Sequence, residues 1–60
     1  MANFTQSELD SIREVVTCHL SVASKLSSCA NSVSDGEIKQ MLIQSAQEAK
    51  QNAQNLMRLL

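Results

Sequence analysis

The sequence predicts an all-α fold: an antiparallel two-helix hairpin that dimerises into a four-helix bundle. Three observations carry this expectation. Among 60 residues there is no proline, one glycine and one aromatic side chain, Phe4, so the punctuation that strands and tight turns require is missing. Two separate helix-start signals occur, one near the N-terminus and one at a short polar joint in mid-chain. Apolar residues recur at alternating steps of three and four along both halves of the chain.

The first helix is announced by TQSE. Thr5 can accept from the backbone N–H of Glu8 while the Glu8 side chain reaches back, a capping box, and Phe4 and Leu9 stand at the positions of a hydrophobic staple. The same pattern recurs in VSDGEI, which predicts a second box from Ser34 and Glu37 and a second staple from Val33 and Ile38. Helix 1 is expected over about residues 6–31, the turn over about 32–34 and helix 2 over about 35–60, in a single unit spanning 1–60. At ~1.5 Å per residue each helix is a rod of roughly 40 Å, and so short a joint permits only an antiparallel return.

Along helix 1, Leu9, Ile12, Val16, His19, Ala23, Leu26, Ala30 and Val33 form an unbroken heptad seam, with Val15, Val22 and Cys29 as a second apolar row beside it. Along helix 2 the seam is Leu42, Ala46, Ala49, Ala53, Leu56 and Leu60, flanked by Ile38, Ile43, Met57 and Leu59. These stripes are wider than one partner helix covers. A lone hairpin would leave Val15, Val22, Ile43 and Met57 in water, at a cost of ~25 cal/mol per Å² of apolar area. Pairing two hairpins hides both rows, and a twofold homodimer is the simplest closed arrangement. The expected core and dimer interface is therefore Leu9, Ile12, Val15, Val16, His19, Val22, Ala23, Leu26, Leu42, Ala46, Ala49, Ala53, Leu56 and Leu60.

Composition excludes several function classes. The net charge of -1, with acids and bases interspersed, provides no basic face for a nucleic-acid backbone. No run approaches the ~20 apolar residues that cross a bilayer. The N-terminal MANFTQSELD lacks the apolar stretch of a secretory signal, so the expected location is the cytoplasm, with Cys18 and Cys29 as free thiols. The polar positions Ser21, Ser24, Ser28, Gln44, Gln47 and Gln51 read as solvated surface.

The pair Cys18–His19, in EVVTCHLSVA, is the one place that invites a metal or redox reading. Successive helical residues point ~100° apart, so the two cannot chelate one ion unaided. No C-x-x-C motif occurs, and the Glu-x-x-His spacing of a di-iron bundle is absent because Glu14 lies five residues before His19. His19 is expected to be largely buried opposite Ser45 to Ala49, with Ser45 or Glu48 accepting its ring N–H. Gly36 belongs to no phosphate-binding loop, and one interior histidine makes no Ser/His/Asp set. The expectation is a non-enzymatic protein with no catalytic residue, no metal ligand and no cofactor. Two alternatives come from the same residues. In one, the dimer core near His19 of both copies holds a metal or a small apolar ligand. In the other, the row Val15, Val22 and Cys29 docks a different partner helix.

The stretch VVTCHLSVASKLSSCANSVSDGEIKQMLIQSAQEAKQNAQNLMRLL, Val15 to Leu60, with its S-D-G-E-I-K-Q corner and Gln/Ala-rich second helix, resembles the coat F family of endospore-forming bacteria. The resemblance implies a ferritin-like arrangement, of which this hairpin is half, and a non-catalytic structural or sporulation-associated role in a Gram-positive spore former, with a place in the spore. It supplies no site residues. The chain departs from the family pattern in stopping at Leu60, where members often continue into a Gly/aromatic tail.

Overall fold

Thr5 sets the start of the first helix. Its extended backbone (φ -70, ψ 164) brings Oγ1 over the first turn, where it accepts from the Glu8 N–H at 3.1 Å, while the Thr5 N–H donates to Glu8 Oε1 at 2.8 Å. Two backbone donors that a helix leaves orphaned are thus satisfied reciprocally. The computed structural model describes residues 3–60, so Met1 and Ala2 of the polar N-terminal stretch lie outside the described residues. Helix α1 runs Gln6–Asn31. It closes by tightening: the Ser32 N–H donates to Cys29 O at 3.0 Å and the Val33 N–H to Ala30 O at 3.4 Å. No described residue has positive φ, so the exit needs no left-handed cap.

Helix α2 runs Gly36–Met57 and differs from the sequence expectation at both ends. Its N-cap is Asp35 and not Ser34. Asp35 Oδ1 accepts from the N–H groups of Glu37 at 2.9 Å and Ile38 at 3.0 Å. A carboxylate outcompetes the neighbouring hydroxyl because its charge favours the positive helix terminus and one oxygen serves two orphan donors. Moving the cap by one residue places Ile38, which has no polar end, where a capping box needs Glu or Gln, so the expected Ser34–Glu37 box does not form. At the other end the α-helix stops three residues before Leu60. The Leu59 and Leu60 N–H groups donate to the carbonyls of Leu56 and Met57 in a tighter terminal turn. Leu60, expected on the seam, is accordingly 54% exposed.

The two helices pack side by side as a hairpin with Cα extents of 46 × 16 × 9 Å. The radius of gyration, 14.3 Å, exceeds the ~10 Å of a compact 60-residue domain. The buried residues are Val16, Ala30, Ala46, Ala49 and Ala53, all on the seams. Leu9, Ile12, His19, Ala23, Leu26, Val33, Leu42 and Leu56 flank them half-buried. Alanines on α2 let the backbones approach closely at the middle of the seam. Among the described residues no large side chain is fully buried, because a second helix shields a seam residue from one side only.

Candidate functional site

A hairpin two helices thick has a front and a back, and both carry apolar side chains. On one side a groove of about 390 Å³ runs between the rods, lined by Leu20, Ala23, Ser24 and Ser27 of α1 and Ile43, Ala46, Gln47 and Lys50 of α2. The small Ala23 and Ala46 at its floor leave it open, and Leu20 and Ile43 form its apolar walls. Leu20, 42% exposed, belongs to neither row expected from the sequence. The spacing Leu20, Ser24, Ser27 against Ile43, Gln47, Lys50 carries the signal, since steps of three and four place each set along one edge of its helix.

The opposite side is set by helical geometry. Val22 lies two residues beyond Leu20, ~200° further round, and so stands across the seam from the groove. Positions seven apart stay within ~20° of one another, which puts Val15 and Cys29 with Val22, while Leu59, three heptads beyond Ile38, has drifted ~60° further from the seam on the same side. Val15, Val22, Ile38 and Leu59 are 44–50% exposed, and Met41, one helical turn from Ile38 and absent from the expected rows, is 68% exposed. The flanking residues of α2 therefore divide between the faces, with Ile43 and Met57 on the groove side and Ile38 and Leu59 on the other.

The polar candidates are sparsely connected. His19 is half-buried, where near-complete burial was expected, because its edge of the seam opens to solvent in a two-helix packing. No side-chain hydrogen bond links it to Ser45 or Glu48 among the described residues. Both thiols are free, Cys18 exposed and Cys29 half-buried. Among the described residues no three His, Cys, Asp or Glu side chains converge as metal ligands, and no helix is long and apolar enough to cross a membrane. Ser21, Ser24, Ser28, Gln44, Gln47 and Gln51 are exposed. The Glu8 carboxyl is held below its ordinary value of 4.5, first by the Thr5 backbone N–H and then by the Thr5 side chain.

No protein-family model matches the chain, and no curated protein or solved structure matches it. The likeness to the coat F family rests on the residue pattern of 15–60 alone. What the geometry offers is a pair of apolar faces with polar borders.

Proposed function

We propose that the protein is a non-catalytic structural or interaction protein whose hairpin completes its core by pairing with another copy of itself into a four-helix bundle. The observation that carries this reading is the mismatch between hidden and exposed side chains. Among the described residues four of the five buried ones are alanines, whereas Val15, Leu20, Val22, Ile38, Met41, Met57, Leu59 and Leu60 remain 42–68% exposed. A compact 6.6 kDa monomer exposes about 3,900 Å². This chain exposes 4616 Å². The excess, on the order of 700 Å², approaches the ~800 Å² that each partner contributes to a standard interface.

Sedimentation and thermal melting across a wide concentration range test the reading. Pairing predicts a mass above one chain and a melting temperature that rises with concentration. A single-chain mass and a concentration-independent melt would overturn it.

A second reading is supported by His19, a half-buried imidazole on the seam with no hydrogen-bond partner among the described residues. Two copies brought together could use it to hold a metal or a small apolar ligand within the bundle. Elemental analysis of purified protein and of a His19→Ala variant tests this, and metal content indifferent to the substitution removes His19 as a ligand. The likeness to the coat F family supports a place in the spore, tested by searching the extracted coat of a spore-forming host for the chain.

A further inference from the structure

The two faces of the hairpin are opposite in charge as well as in position. Lys50 lines the groove, Lys39 stands one helical turn before Ile43 on the same edge of α2, and Arg13 lies one heptad before Leu20 on the same edge of α1. Arg13 is engaged by Asp10 at 3.4 Å, and neither lysine has a carboxylate within ion-pair distance among the described residues. The groove side is therefore apolar with a cationic border.

Across the seam the charge reverses. Glu8 continues the row of Val15 and Val22 toward the N-terminus, and Glu48 lies within ~20° of Met41 and Leu59 around α2. Glu37 borders the same side. Lys25, one turn from Val22 and Cys29, stands at the outer edge of this side as Glu37 does, and Glu14 points away from both faces. The back of the hairpin is therefore apolar with a border that is net anionic, Glu8, Glu37 and Glu48 against Lys25.

From this juxtaposition we infer that copies associate front to back, the cationic groove of one hairpin receiving the anionic apolar face of the next. The inference rests on the self-pairing proposed above and changes its symmetry. A twofold contact through the groove sides would bring Lys39 and Lys50 toward their own copies, and one through the backs would gather Glu8 and Glu48. Like charges across an interface disfavour association, and the front-to-back contact alone sets opposite signs together. Such a contact uses different surfaces on the two partners. Each pair then retains one free groove and one free back, and the assembly grows into a ring or an open stack.

Two variants test it, each changing only exposed residues. Lys39→Glu/Lys50→Glu reverses the groove border, and Val22→Lys/Glu48→Lys places bases on the back. Circular dichroism first checks that each keeps its helix content. By sedimentation, the wild-type mass is expected to pass beyond two copies as concentration rises. Each variant alone is expected to need at least about tenfold more protein to associate, and an equimolar mixture is expected to recover association, because each supplies a complementary surface. A wild type that stops at two copies, with one variant still pairing normally alone, would overturn the front-to-back contact and leave self-pairing intact. A wild type that stays a single chain throughout would overturn both.

Discussion

Thr5 and Glu8 exchange hydrogen bonds: each donates its backbone N–H to the other's side-chain oxygen, at 2.8 and 3.1 Å. This closed pair is exposed, so its worth comes from satisfying orphaned donors and not from burial. Thr5→Ala is expected to destabilise by about 1 kcal/mol, lowering the melting temperature by roughly 4–8 °C in a domain this small. Thermal melts at fixed protein concentration check it.

The same pair makes stability depend on pH. The native Glu8 carboxyl is held below its ordinary value of 4.5 by the Thr5 backbone N–H and then the Thr5 hydroxyl. A depressed acid stabilises the fold above its unfolded value, and that contribution is lost as pH falls through the native one. Melting temperature should decline on acidification below the ordinary carboxylate range, and the decline should be shallower in Glu8→Gln, which keeps an acceptor without a titrating proton. An equal decline in both proteins would refute the assignment.

At the second helix, Asp35 and Ser34 compete for one role and the structure awards it to Asp35. Asp35→Ala should cost about 1 kcal/mol, while Ser34→Ala should stay within about 0.5 kcal/mol. Gly36, the next residue, has negative φ and nothing within 4 Å of an added Cβ. Gly36→Ala should stabilise by roughly 0.4–1 kcal/mol, mainly by restricting the unfolded chain. Denaturant midpoints of the three variants measure all of these signs.

Ala53 is the most completely covered side chain, at 0% exposure. Ala53→Leu should wedge the helices apart and cost about 1–3 kcal/mol, although leucine is itself a good helix former. The variant should retain helical circular dichroism and melt earlier. A melt as late as that of the wild type would mean that the rods do not meet closely at this position.

His19 holds a seam position with a side chain only half-hidden and unpaired among the described residues. His19→Leu supplies apolar volume and higher helix propensity there, and should raise the melting temperature by a few degrees. A fall would show that the imidazole has a partner that the single chain does not contain.

The periodicity of the sequence was enough to name the buried faces. Val16, Ala30, Ala46, Ala49 and Ala53 all come from the two heptad seams, and α1 runs over Gln6–Asn31 as its cap and its joint indicate. Less legible was the choice between adjacent caps at Ser34 and Asp35, because both residue types cap helices and only the dihedral path of the turn decides which oxygen reaches the N–H groups. The loss of Leu60 from the seam was equally hidden, since a terminal turn tightens for want of further hydrogen-bond partners and not because its residues change character.

Local chemistry along the chain therefore determined that there are two helices, where the first begins, and which stripe of each turns inward, because capping and a 3.6-residue period are properties of contiguous residues. Tertiary structure alone decided which flank of α1 shares a face with which flank of α2. That relation placed Leu20 beside Ile43 and Lys50, and left Val22 on the side of Ile38 and Glu48. A helix wheel orders residues around one axis and contains no information about the second axis. The sorting of charge onto opposite faces emerges only when the two rods are set against each other.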